Sequence, residues 1–143
     1  MSRTARFLRS LLLLPATAVL IVSCDFGEAF AATDAAVARF HELFNDDQFA
    51  TIYGESTSAF KGSASEQNLV KLLEAVKRKI GKVQSTSRQS VNVFSSTNGT
   101  TISATYMTKY EGAKATESFR FMLDAKKALL VGYNVSSLDL IVN

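Results

Sequence analysis

The stretch Ile102-Ser103-Ala104-Thr105-Tyr106-Met107-Thr108-Lys109-Tyr110 alternates along its whole length. A two-residue period puts Ile102, Ala104, Tyr106, Thr108 and Tyr110 on one face of a β-strand and turns Ser103, Thr105, Met107 and Lys109 to the other. The segments on either side keep the same period. Upstream, Val91 and Val93 alternate with Ser90 and Asn92, and Asn98-Gly99 is the dipeptide most typical of tight hairpins. Downstream, Glu111-Gly112 turns the chain into a strand in which Phe119, Phe121 and Leu123 share a face. Asp124 to Lys127 then turn it again into a last strand carrying Leu129, Val131, Tyr133 and Val135. Four successive strands with short turns predict an antiparallel meander with one face covered.

The cover must come from the residues before Val83, where the period is helical. Thr33 offers an N-cap, and Val37, Phe40 and Phe44 recur at helical spacing until Asn45-Asp46-Asp47, predicting a helix over 34–45. Asp47 can cap a short helix holding Phe49, Ile52 and Tyr53, which Gly54 stops, and a loop carrying Phe60 follows. Ser63-Ala64-Ser65-Glu66 has the form of a capping box opening a further helix. Its apolar stripe is Leu69, Leu72, Leu73, Val76 and Ile80, its solvated face holds Lys71, Glu74, Arg78 and Lys82, and Gly81 stands at the C-cap. The fold class expected is α+β, with N-terminal helices packed on a four-stranded antiparallel sheet.

The first residues read as an export signal. Arg3, Arg6 and Arg9 precede an uncharged run from Ser10 to Val22 that is too short to span a bilayer, and Asp25 and Glu28 make the following chain polar at once. The ending Ile21-Val22-Ser23-Cys24 resembles the bacterial lipobox. That resemblance implies a signal peptide over 1–23, cleavage before Cys24 and lipid on its sulfur. The small, mixed residues that follow read as a tether, giving a lipidated N-terminus and tether over 24–32, and the remaining length suits a single domain over 33–143. The lipobox resemblance also implies a sorting role for Asp25, because in enteric bacteria an aspartate directly after the lipidated cysteine retains a lipoprotein at the inner membrane. The expected localisation is the cell envelope, facing the periplasm, with the inner membrane favoured over the outer. The three arginines of the signal account for the whole net charge of +3. The rest of the chain is balanced, which argues against nucleic acid as a partner. Cys24 is the only cysteine, so the domain is held by its core and not by disulfides.

Helices followed by a meander whose concave face they cover resemble the cone-shaped fold of nuclear transport factor two, the ketosteroid isomerases and the wider cystatin-like superfamily. Phe40 to Tyr53, Phe60-Lys61, Lys79 to Val83, Tyr110-Glu111-Gly112, Ala115 to Phe119 and Leu130 to Asn134 look like a family of small exported bacterial proteins of unknown function, which offers no catalytic residues to transfer. The cone often encloses a pocket, so His41, Tyr106, Tyr110 and Tyr133 are the possible pocket residues. A lone histidine beside an apolar stripe, and tyrosines alternating on strands, read first as core or boundary residues. Glu111 and Glu117 flank a hairpin and read as solvated. One histidine and one cysteine at no ligand spacing give no metal site, and no glycine-rich phosphate loop is present, so no cofactor is expected.

With no catalytic set in view, the expected function is that of a non-enzymatic envelope lipoprotein whose domain binds another protein as an inhibitor, immunity or accessory factor. Its membrane contact would be the lipid anchor. The alternative is a pocket for a small apolar ligand or isomerase- or dehydratase-like chemistry. An interior filled by side chains points to the first reading. A cavity of about 300 Å³ or more, with His41 or tyrosine hydroxyls converging on it, points to the second.

Overall fold

The computed structural model describes residues 26–142, so the signal segment, Cys24 and Asp25 lie outside the described residues. Helix α1 (Phe26–Asn45) is followed by α2 (Phe49–Gly54), α3 (Ser58–Ser63) and α4 (Glu66–Ile80). Strands β1 (Val83–Ser96), β2 (Gly99–Tyr110), β3 (Lys114–Asp124) and β4 (Lys127–Ser136) come next, and α5 (Leu138–Val142) is last. The strands form one antiparallel sheet in the order β1-β2-β3-β4, and the helices lie on one face of it. This is the α+β arrangement, helices followed by a four-stranded antiparallel meander, expected from the alternation and the helical stripes.

The face assignment of β2 holds at every position, because Ile102, Ala104, Tyr106, Thr108 and Tyr110 are all buried. On β3 the same phase carries Phe119 and Phe121 inward and also takes in Ala115 and Glu117. β4 departs from strict alternation. Arg120 pairs with Gly132 while Phe121 pairs with Leu130, so Val131 is an extra residue. The bulge makes Leu130, and not Leu129 or Val131, the buried partner of Phe121. The carbonyl of Leu130 accepts from Thr57 N and Thr57 Oγ1, both at 3.0 Å, and this anchors α3 to the sheet. Thr57 also caps α3 by accepting from Phe60 N, so the segment around Phe60 is a helical turn and not a loop.

The first helix begins at Phe26, seven residues before the expected cap, so most of the expected tether is its first two turns. Thr33 is buried within the helix, and its hydroxyl donates to the carbonyl of Ala29 at 2.7 Å in place of capping. Ala29 is buried and Glu28 pairs with Lys126 at 3.1 Å, so these turns belong to the domain. At its other end Asp47 adopts φ 60 and does not cap α2, whose N-cap is Gln48. The last carbonyls of α1, at Phe44 and Asn45, accept from Lys77 Nζ on α4, which also reaches Asp47 at 2.6 Å. A cation at this terminus satisfies carbonyls that the helix cannot, and favours the helix dipole.

α4 is capped by Ser65, whose hydroxyl accepts from Asn68 N, so the expected box at Ser63 is displaced by two residues. Its buried stripe is Leu69, Leu73, Val76 and Ile80. Leu72, expected in that stripe, is 44% exposed. Gly81 ends the helix at φ 84, where a side chain would strike Glu111. The Glu111-Gly112 turn docks there. Gly112 N donates to Ile80 O, and Glu111 Oε2 accepts from Lys82 N at 2.8 Å.

Candidate functional site

The inward phase of β3 places a carboxylate, Glu117, in the centre of the domain, where no part of it is exposed. The reading of Glu117 as solvated is therefore overturned. Its position two residues before Phe119 and four before Phe121 was the available signal, because a strand that buries those two must also turn Glu117 inward.

Four side chains converge on this carboxylate. Oε1 accepts from the hydroxyls of Tyr110 and Tyr133, both at 2.7 Å. Oε2 accepts from Thr108 Oγ1 at 2.5 Å and meets His41 Nε2 at 2.7 Å. Thr108 gives its proton to Glu117, so Thr86, 2.8 Å away, must be the donor in the Thr86–Thr108 contact. One group thus ties α1, β2, β3 and β4 together directly, and β1 through Thr86. Aromatic rings enclose it: Phe40 packs edge-on to Phe119 at 5.2 Å, Tyr133 lies 4.7 Å from Phe40, and Phe44 is edge-on to Tyr110.

Burial alone would push the Glu117 carboxyl up, since an apolar interior disfavours charge. The hydrogen bond and charge of His41, aided by Thr108 and Tyr133, outweigh that and hold it below the ordinary value. Nε2 of His41 faces an ionised acceptor, so it carries the proton. The phenols of Tyr110 and Tyr133 are both pushed up, first by burial and then by the neighbouring Glu117 charge. Both tyrosines therefore stay neutral donors. A carboxylate whose acceptor positions are all filled by its own protein gains nothing by taking a substrate proton, and phenols raised in this way are poor acids near neutrality.

Tyr106, also named as a pocket residue, stands apart from this cluster. Its hydroxyl donates to Asp34 Oδ1 at 2.7 Å, and Asp34 Oδ2 accepts from Arg88 at 2.9 Å. Burial, and then the Asp34 contact, push the Tyr106 phenol up. These three residues line a cleft of about 400 Å³ between α1 and β1 together with Val37, Ala38 and Thr86. A second open groove of about 400 Å³ lies on the outer face of the sheet along Asn92, Ser103, Arg120 and Asn134. Tyr133 also borders this groove, and neither cavity is lined by His41, Tyr110 or Glu117. The structure thus brings His41, Tyr110 and Tyr133 together, around a carboxylate whose acceptors are filled. Among the described residues no group of three His, Cys, Asp or Glu side chains is placed to hold a metal ion.

No protein-family profile matches this chain, and no curated protein sequence matches it. Among solved structures the chain is similar to Aln2 from a Streptomyces species, with a TM-score of 0.51 and 13% identity over 80% of this chain and 94% of that one. At that identity the likeness is one of fold alone.

Proposed function

We propose that this chain is a lipid-anchored envelope protein whose single α+β domain acts as a protein-binding module and not as an enzyme. The observation that supports a non-enzymatic reading is the closed state of Glu117: its acceptors are filled and no part of its side chain is exposed. Such a network fixes one arrangement of helices on the sheet and leaves the surface to do the binding. The anchor rests on Cys24 behind its apolar run and on the three arginines before it. Asp25 then favours retention at the periplasmic face of the inner membrane.

Two measurements test this. Metabolic labelling with a fatty-acid probe must mark the natural chain and not Cys24→Ser; equal labelling removes the anchor. Native mass spectrometry of the protein extracted from membranes in mild detergent should show a stoichiometric protein partner that survives Glu117→Gln. A bound small molecule in place of a protein would overturn the module reading.

A second reading, a small-ligand protein, is favoured by one observation. Thr86 lines the cleft beside Tyr106 and is joined through Thr108 to the buried carboxylate, so a ligand in that cleft would sit one hydroxyl pair from Glu117.

A further inference from the structure

The two hairpin turns β1–β2 and β3–β4 lie at one end of the sheet, since Thr100 at the start of β2 pairs with Leu123 near the end of β3, and Leu123 pairs with Ala128 at the start of β4. The first turn of α1 is at that same end, because Glu28 pairs with Lys126 in the β3–β4 turn, while the last residue of α1, Asn45, bonds to Val83 at the opposite end of β1. Phe26, the first residue of α1, is 62% exposed there. On the outer face of the sheet at this end, Phe94 pairs across Thr101 with Met122, and these two are 70% and 37% exposed. Each is two residues from the end of its strand, roughly 7 Å from the tip. The rim of this end therefore carries exposed large apolar side chains in both layers of the fold.

What faces this rim follows from where the chain leaves it. Cys24 is two residues before Phe26, a separation that covalent geometry limits to about 7 Å. A lipid on Cys24 holds this end, and no other, against the bilayer. We infer that the rim formed by Phe26, Phe94 and Met122 lies in the headgroup region of the membrane that holds the anchor, so that the domain stands on its hairpin tips with α5 pointing away. The inference rests on the anchor proposed above. Charge does not drive the contact: Lys126 and Lys127 are offset at this end by Glu28 and Asp124. The contact depends on apolar side chains reaching the interface, within the roughly 5–10 Å over which amphipathic surfaces enter a bilayer. It holds on uncharged lipid as well as on anionic lipid. A domain held in this pose offers a partner the far end of the sheet and α5, where Leu138 and Ile141 are both 78% exposed.

The chain contains no tryptophan, so Phe94→Trp and Leu138→Trp each introduce one fluorescent reporter at a site exposed enough to accept it. The full chain with each substitution is reconstituted into phosphatidylcholine vesicles containing lipids brominated near the carbonyl end of the acyl chain. The Phe94→Trp reporter is expected to shift to the blue and to be quenched severalfold more than the Leu138→Trp reporter. Equal quenching, or stronger quenching at position 138, overturns the inference. If fatty-acid labelling shows that the chain carries no lipid, the same two reporters are read with vesicles added to the unlipidated protein. Quenching confined to position 94 then upholds the rim and rejects only the anchor, while none at either position rejects both.

Discussion

His41 on α1 and Glu117 on β3 lie 76 residues apart in the chain and 2.7 Å apart in the fold, both withdrawn from solvent. The contact crosses from the helical layer to the sheet at the one point, among the described residues, where a carboxylate occupies the core. A buried charge without partners costs many kcal/mol, and here every acceptor position of the carboxylate is met by a donor from a different place in the sequence. The domain can therefore close only when α1, β2, β3 and β4 are in their mutual register.

Removing either member of the pair leaves the other uncompensated. His41→Leu strands a buried carboxylate, and Glu117→Leu strands one imidazole and three hydroxyl donors. Each is expected to cost about 3–5 kcal/mol, and the double variant distinctly less than the sum. Urea unfolding of the four forms measures the cycle, and simple additivity would show that the two residues are not coupled.

The same cluster sets the pH limits of stability. Glu117 titrates below its ordinary value of 4.5 in the folded protein, so its contribution is complete above about 4.5 and is lost as pH falls through the lower, folded value. Tyr110 and Tyr133 are raised, so their contribution is complete below the ordinary phenol value of 10.0 and is lost as pH rises beyond it. Melting temperature should be flat between these limits with regard to the cluster. In Glu117→Gln the acid limb should shrink, and an unchanged acid limb would assign acid unfolding to other carboxyls.

Leu72 and Leu73 are neighbours with opposite fates. Leu73 is fully buried and Leu72 is 44% exposed, so Leu73→Ala should lose about 2–5 kcal/mol and Leu72→Ala less than about 1. Thermal melts decide it. A comparable loss at both positions would mean that α4 is rotated from the face described.

Gly81 and Gly54 offer a second contrast. Gly81 combines φ 84 with a site where an added Cβ comes within 2.5 Å of Glu111 Oε2, so Gly81→Ala should destabilise by about 1–3 kcal/mol. Gly54 has nothing within 4 Å, and Gly54→Ala should be neutral or slightly stabilising. Chemical denaturation of both variants measures the difference, and a neutral Gly81→Ala would place the α4 terminus in a different backbone conformation.

The periods of the sequence determined the layers. Alternation from Ile102 to Tyr110 fixed the buried face of β2, because a pleated strand has only two faces and one of them carried every large apolar group except Met107. The 3.6-residue stripe ending at Ile80, followed by Gly81, fixed α4 and its end in the same way. Periodicity was silent wherever a distant contact decided. Thr33 looks like a cap by residue type, yet it is interior to α1 because Ala29 packs in the core and carries the helix seven residues further back. Val131 breaks the phase of β4, an irregularity that depends on Thr57 holding the carbonyl of Leu130 from outside the strand. Glu117 shows the limit most clearly. Its phase with Phe119 and Phe121 was legible, but carboxylates are seldom buried unless paired. The pairing is made by His41, Thr108, Tyr110 and Tyr133, which come from three other elements, so only the tertiary structure brings together the donors that let a charge stay in the core.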